Sequence, residues 1–548
     1  MNQSRRYSHH LSLLGTLCAV GFGSTLAAAD VQFVALSDVH FGYIRVYPLT
    51  ISSATTQDAK VINTAMIGTV NALSTLTIPA DGGVGAGAAV GAVDFVAVTG
   101  DLANRYQTDT AVSGASPANL NAVQNSTASY ADFTNIVLNG VTLKNKAGVA
   151  AKFLLSPGNH DVSNAIGNVK IPGSVATGAP ATPNRVDAGS LKALYKVAKG
   201  IDFVGTYDLA AYEATNSSGA AINKPNYSMD VGGIHMISLT IWPDDSNRKW
   251  IDADLLSVPL TTPVMLFMHN YPDVDTKHLK SRAAGNPINT NFEACATAIV
   301  DVSESADGIA AASTSNVEQR AFVTWLKTHK NIVAYFHGHS NSNEMWDYKG
   351  PDGDITLKCF RIDSPMKGDI SAKSAGMESL MSYLLTSIDT TAKKMTVREI
   401  RWYPTLGFST DTSTAANART PAVANVPKLD WTYQVAAPTF SVAGGTYSST
   451  QTVTIASATA GTDIFYTTDG STPTADSSKY TTPLPITTTA TLKAVAVPTT
   501  FTSQAPNSSS ASYTIEADDS SSKCGSGMGL VTLLGALVGF WIVGRRLR

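Results

Sequence analysis

Short apolar runs of strand length, rich in β-branched residues, recur along the chain at 31–36, 93–98, 152–155, 264–268 and 331–336. Between some of them the apolar positions take helical spacing, at 56–76 and 191–199. Strand runs alternating with helical patterns predict an α/β body. The Gly/Ala-rich stretch 82–91 is expected to be a flexible loop, and 303–315 a surface insertion.

After Pro404 the pattern changes. Residues 405–435 read as a linker with some order around Leu429-Asp430-Trp431, and 438–515 as a Thr-rich block of short alternating strands with Asp-Gly and Pro turns. That pattern predicts a small β-sandwich. Both ends read as addresses. Arg5-Arg6, an apolar run and Ala27-Ala28-Ala29 have the layout of a cleaved signal peptide. At the other end a Ser-rich stretch and Cys524-Gly525-Ser526-Gly527 precede an apolar run from 528 to 543 and a basic finish, Arg545, Arg546 and Arg548. The basic end would stay cytoplasmic and place the body outside. The expected domains are a signal peptide over 1–29, a catalytic body over 30–404, a linker over 405–436, a β-sandwich over 437–516 and a sorting or membrane-anchor segment over 517–548.

Composition narrows the class. The chain has 548 residues, 44% of them hydrophobic, enough for a sizeable core beside smaller domains. A formal net charge of −3 with 15% charged residues argues against a protein that coats nucleic acid. Of the four cysteines, Cys18 and Cys524 lie in the terminal segments, leaving Cys295 and Cys359 in the body. Two such residues do not make a Cys-based zinc site. In an oxidising compartment they form one disulfide or stay two buried thiols, and both readings stand.

The chemistry sits where the apolar runs end. Each run leads into a metal-competent or acid–base residue: Asp38 and His40, then Gly100-Asp101, then Gly158-Asn159-His160-Asp161, then His269, then His337-Gly338-His339-Ser340-Asn341. In α/β sheets ligands bind beyond the carboxyl ends of strands, so five such ends can meet at one pocket.

This order of motifs, D-x-H, G-D, G-N-H-D, H and G-H-x-H, resembles the calcineurin-like metallophosphoesterases over about 31–404. The resemblance implies a four-layer αββα sandwich with a dinuclear centre at its rim and a phosphoester substrate. It implies that Asp38, His40 and Asp101 hold the first ion, and that Asp101 bridges to a second, held also by Asn159 and His269. With no Cys among the ligands, Fe, Mn or Zn suit the donors. The pair would acidify a bridging water to hydroxide. His160, not a ligand in the family pattern, would protonate the leaving alkoxide, with Asp161 holding its ring. Arg105 is either a phosphate contact or a structural residue. Asn104 and His40 stand where the purple acid phosphatases have Tyr and Gly, which sets that branch aside. The stretch 338–344 is similar to the last motif of acid sphingomyelinase-like phosphodiesterases and tilts the reading toward phosphodiesters. The block 438–515, above all its Tyr-Thr-Thr-Asp-Gly-Ser-Thr-Pro-Thr turn, resembles the C-terminal β-sandwich of chitobiases. The tail resembles bacterial Cys-Gly or Gly-Gly sorting tails, whose helix a protease removes; a plain membrane anchor is the other reading.

The last motif has two registers. In one, His339 holds the second metal and Asn341 replaces the usual His on the first. In the other, His337 and His339 are the pair. The body is expected to be exported, to the periplasm, the cell surface or the medium. Three alternatives remain: a phosphomonoesterase or nucleotidase, a surface-binding protein with a decayed site and, as a poorer option, a polysaccharide binder through 438–515, which lacks an evident aromatic platform. With every candidate ligand before 342, removal of residues 438 onward is expected to leave a soluble, active enzyme.

Overall fold

The computed structural model describes residues 29–46, 56–103, 126–158, 160–161, 196–198, 225–273, 314–366, 381–402 and 428–516. The expected leader up to residue 28, the sorting tail, Cys295, Asn104, Arg105 and Asn159 lie outside them. Among the described residues strand exceeds helix, and no helix is long and apolar enough to cross a membrane.

Each of the five apolar runs forms a strand. They are β1 (Val31–Leu36), β4 (Phe95–Thr99), β5 (Lys152–Ser156), β8 (Val264–Phe267) and β9 (Ile332–His337). A small hairpin, β2 (Ile44–Val46) with β3 (Thr56–Asp58), follows β1. The remaining body strands are β6 (Tyr227–Val231), β7 (Ile234–Ser238), β10 (Glu344–Tyr348), β11 (Leu357–Arg361), β12 (Met381–Asp389), β13 (Lys394–Trp402) and β14 (Lys428–Thr432). They build two six-stranded sheets, ordered β14-β13-β12-β1-β4-β5 and β10-β11-β9-β8-β7-β6. In the first, β1, β4 and β5 run parallel; in the second, β7, β8, β9 and β11 do. Antiparallel strands flank both parallel sets.

The sheets share one apolar core. Period-2 alternation sends Phe33 and Ala35 of β1, and Phe95 and Ala97 of β4, to the same cluster as Phe267 of β8 and Phe336 of β9. Phe33 stacks on Phe95 at 4.5 Å and Phe267 on Phe336 at 4.9 Å, and Phe33 meets Phe336 edge-on at 5.3 Å. Aromatic pairs at these separations add to their area burial. The alternate residues Val34, Leu36, Val96 and Val98 belong to a second cluster with Ile62, Met66 and Val70 of α1 (Ala59–Ala72). Helix α2 (Ser126–Phe133) adds Tyr130 and Phe133 to it. Ile251 of α3 (Asp245–Asp254) and Phe322 and Leu326 of α4 (Thr314–Thr328) join the same cluster, as do Leu266 and Tyr335 from the second sheet.

Three expectations need correction. The Gly/Ala-rich stretch 82–91 is not a free loop. Arg398 of β13, fully buried, grips Asp81 with two 2.9 Å bonds and the Val84 carbonyl at 3.0 Å, and Val84 N–H donates to Thr396 at 2.8 Å. The segment 405–436 is more than a linker, since β14 lies in it and completes the first sheet. Its Trp431 stacks on Phe360 of β11 at 5.4 Å, and Phe360 on Phe336 at 4.7 Å.

The third concerns the last domain. Residues 439–515 are all β, as expected: a five-stranded sheet and two strand pairs around Val453, Ile455, Leu492 and Tyr513. In its Asp-Gly turn, Asp469 accepts from Ser471 N–H at 2.9 Å and from its hydroxyl, with Gly470 at φ 81°. Yet the domain is not detached. Phe501 is 2% exposed within the body's own core cluster, Ala505 within the inter-sheet one, and Thr356 N–H donates to the Phe501 carbonyl at 2.8 Å. Removal of 438 onward would therefore uncover apolar body surface.

Asp81→Ala tests the clasp on 82–91. Arg398 holds the Asp81 carboxyl down to about 2. Removing one partner of a buried pair strands the other charge, so a loss of about 3 kcal/mol is expected, the low end because Asp81 is partly wetted. In the wild type this contribution is complete above pH 3.8 and fades as pH falls through about 2. Thermal unfolding of Asp81→Ala indistinguishable from wild type would show that the clasp contributes nothing.

Candidate metal centre

The candidate ligands lie beyond the carboxyl ends of the parallel strands. Past β1 and β4 the two chains stay paired: Asp38 N–H donates to the Gly100 carbonyl at 3.0 Å and His40 N–H to the Asp101 carbonyl at 2.9 Å. Past β8 and β9, Gly338 N–H donates to the His269 carbonyl at 3.0 Å. Three glycines explain how tightly these ends meet. A Cβ on Gly158 would fall 2.2 Å from an Asp101 carboxylate oxygen, and one on Gly338 would fall 1.8 Å from Ser37 Oγ and 2.3 Å from Asp38 Oδ2. Gly100, whose Cβ would fall 2.6 Å from His269 Nδ1, also has φ 96°. Each motif's glycine is thus a clearance that a side chain would fill.

Two groups of ligand atoms result, each within a span of 4.8 Å: His40, Asp101 and His160, and Asp38, Asp101 and His269. Asp101 belongs to both. Its Oδ2 lies 3.5 Å from His40 Nε2, 3.3 Å from His269 Nε2 and 3.9 Å from His160 Nε2, while Oδ1 accepts from His160 N–H at 2.8 Å. Asp38 Oδ1 lies 3.6 Å from His40 Nε2. Its other oxygen accepts from Ser37 Oγ at 2.6 Å and from His339 N–H at 2.9 Å. His339 Nδ1 lies 3.3 Å from His269 Nε2, whose own Nδ1 is 2.8 Å from the Thr99 carbonyl. That last contact is the kind of outer hydrogen bond that fixes a ligating imidazole's orientation.

The backbone is bent to make this cluster. Among the described residues eight non-glycines have positive φ, and five are candidate ligands: Asp38, His40, Asp101, His339 and Asn341, at 43° to 72°. Asp, Asn and His tolerate this region best, yet strain concentrated in one place marks a functional site. At the last motif, Gly338 presses on Asp38 and His339 reaches His269. Asn341 carries a buried carbonyl oxygen with no hydrogen-bond partner. His337, fully buried, bonds only the Gly338 carbonyl through Nδ1; its Nε2 is unpartnered and it belongs to neither ligand group. Burial pushes the His337 imidazole down to about 3, so it stays neutral. His339, common to both registers, lies beside His269, while neither Asn341 nor His337 meets Asp38 or His40 through a hydrogen bond among the described residues, so both registers stand.

Asp161 does not do what the resemblance implied. Its carboxylate accepts from the N–H groups of Leu102, Ala103 and Gly158 at 2.9, 2.9 and 2.8 Å and from Tyr130 OH at 3.0 Å. Those four donors take up its oxygens, and the His160 ring is not one of them. Asp161 instead ties the ends of β4 and β5 to α2. Burial and the neighbouring Asp101 charge push it up to about 7. His160 packs edge-on against His40, ring centres 4.6 Å apart, at 7% exposure. Sequence reasoning missed Ser364, whose hydroxyl donates to the Asp38 carbonyl at 2.8 Å, and Asn63 of α1, which donates to the Val39 carbonyl at 2.8 Å. Neither stands in a motif that would mark it.

The electrostatics ask for cations. Burial works against the Asp101 charge, but His160, His269 and His40 outweigh it and hold its pKa well below the usual range. For His269, burial is again outweighed, here by Asp101 and Asp38, and its pKa is pushed up to about 9. Oxygen and imidazole donors fit hard to borderline ions such as Fe, Mn or Zn.

Residues 442–513 match the chitobiase/beta-hexosaminidase C-terminal domain family. That match lies wholly in the small β domain and includes none of the candidate ligands. No curated protein matches the chain.

Only neutral imidazole binds a metal, so a proton on His269 competes with the ion. Affinity should therefore rise with pH between 6.5 and about 9, and uptake should release a proton. In the metal-free protein the sign is opposite: stability from protonated His269 is complete below 6.5 and lost as pH rises through about 9. Calorimetric titration across this range decides; an affinity flat in pH would remove His269 from the ligand set.

Proposed function

We propose that residues of the body form a four-layer αββα metallophosphoesterase of the calcineurin-like type, an exported hydrolase acting on phosphoesters, diesters ahead of monoesters. The observation that carries this reading is Asp101, the one side chain common to both carboxylate–imidazole groups. A carboxylate oxygen can be shared by two ions, and Oδ2 is the oxygen that faces the imidazoles of both groups. The order of motifs and the position of their residues beyond parallel strand ends support the same reading. Export rests on the terminal segments of the sequence, which lie outside the described residues.

Two ions held there would supply an acidified water and neutralise phosphate charge. The protein's own part is holding and proton transfer. Asp38, His40, Asp101, His269 and His339 converge, and Asn341 offers a neutral oxygen. Asn159 has its place through the resemblance alone. His160, at the rim of the group containing His40, is placed to give a proton to the leaving alkoxide through its ring. With Asp161 engaged elsewhere, the ring is oriented by its packing on His40 and by the loop's anchoring to Asp101. Asn341 is the sole support for a site without catalysis, and its unpartnered oxygen is what a ligand would present.

Metal analysis with a panel of bis(p-nitrophenyl) phosphate and p-nitrophenyl phosphate, with and without chelator, tests the reading. Asp101→Ala should lose both ions and turnover together; full activity in that variant, or after exhaustive chelation, sinks the proposal. A higher rate on the monoester would move the assignment to phosphomonoesterases.

His160→Ala should keep the ions and lose ~10²–10⁴-fold in turnover, the usual worth of a positioned acid. The loss should shrink for substrates with better leaving groups. Metal content falling in step with activity would make His160 a ligand.

A further inference from the structure

The contact between the small domain and the body falls at one place with a direct line to the centre. The loop 499–506 joins two strands of the five-stranded sheet and lies against the body beside 356–358 and 433–435. Phe501, 2% exposed, joins the body cluster that holds Ile355 and Leu357. Ser503, at φ 56°, accepts from Lys358 N–H at 2.8 Å and donates to the Thr356 carbonyl at 3.1 Å. Ala505 N–H donates to the Tyr433 carbonyl at 2.9 Å and its carbonyl accepts from Val435 N–H at 3.0 Å. Lys330, in the turn before β9, donates to the Thr499 carbonyl at 3.0 Å.

The segment that the loop grips is the start of β11, and the end of β11 holds the last ligand loop. Arg361 Nε donates to the Ser342 carbonyl at 3.0 Å, and its Nη2 pairs with Glu344 at 2.7 Å. Asp363 N–H donates to Asn343 Oδ1 at 2.9 Å, and Ile362 N–H to the His337 carbonyl at 2.8 Å. Ser364 holds the Asp38 carbonyl. The ligand loop needs such support, because His339 and Asn341 both sit in the left-handed region. Its geometry is imposed by neighbours rather than preferred by the chain.

We propose that the loop 499–506 is a positioning device for the ligand loop 338–343, acting through β11, with Phe501 as its anchor. The role assigned to the ligand loop rests on the metallophosphoesterase reading; the mechanical link does not. A strand paired along its length passes axial position from one end to the other, because its register with β9 cannot slip by one residue without turning every side chain over. The small domain then belongs to the working enzyme.

Full-length Phe501→Ala, Phe501→Leu and Ser503→Ala are compared with wild type at a temperature where all are folded. Amide hydrogen exchange at 338–343 is read first, since it needs no metal. It should speed up in Phe501→Ala and Ser503→Ala and return toward wild type in Phe501→Leu. Manganese affinity is read second and should weaken ~10–100-fold in Phe501→Ala, as when the outer support of a ligand is lost. If Phe501→Ala does not fold, Ser503→Ala, which removes two hydrogen bonds alone, carries the test. Unchanged exchange at 338–343, with only a lower melting temperature, overturns the proposal. A wild type that binds neither manganese, zinc nor iron, while the variants still show the exchange effect, overturns the metal reading and leaves the link standing.

Discussion

Asp101 is a carboxylate at 2% exposure, and an ionised group so placed demands compensation on every side. Three imidazoles surround it, and the N–H of His160 comes to it from the neighbouring loop. Gly158 is glycine because a Cβ there would fall 2.2 Å from the carboxylate, and Gly100 because the chain turns sharply just before it. A second buried carboxylate, Asp161, is kept near by the same loops and serves another end: it takes up the backbone N–H groups that Leu102, Ala103 and Gly158 would otherwise leave unmatched. One acid gathers cations and the other gathers amides, so the loop after β4 is fixed from both sides.

The sheets make that convergence available. Parallel strands end together at one edge, and two parallel sets facing each other bring two edges to one rim. The faces are locked by a column of rings, Trp431, Phe360, Phe336 and Phe267, with Phe33 and Phe95 set across it. A column of this kind resists sliding, which matters because His269 and His339 come from one sheet while Asp38, His40 and Asp101 come from the other.

Much of this was legible in the sequence, for a physical reason. Strands β1, β4, β8 and β9 are buried on both faces and so read as unbroken apolar runs, and each ends in a motif that chemistry alone could flag. The hairpin of β6 and β7 and the strands β10 to β14 are less legible, because polar residues interrupt their apolar positions. Arg398 lies in β13 and looks like a surface residue until Asp81, 317 positions away, is seen to meet it. The order near Trp431 was visible as an apolar patch, but not its pairing with β13. Asp161 was misassigned because its partners are backbone amides, which leave no trace in residue type. The choice at Asn341 stays open for a related reason: spacing fixes which residues alternate, not which of two alternating pairs the backbone turns inward.

The small domain shows how far a family likeness reaches. Its likeness over 442–513 accounts for the strands, the Asp-Gly turn and the core around Leu492 and Tyr513. Phe501 lies within that span but packs in the body's cluster, not with the sandwich's own core. In a free-standing sandwich, a Phe on a connecting loop would be apolar surface facing water, at a cost of some 1.5–3 kcal/mol relative to burial. Here it lies in the core of another domain, and the adjoining Ser503 bends into the left-handed region to reach the body's backbone. A loop that fits so poorly with independence, and so well with the neighbour it meets, has its explanation in that neighbour. The boundary that composition draws near residue 437 therefore separates two folds without separating two units of stability.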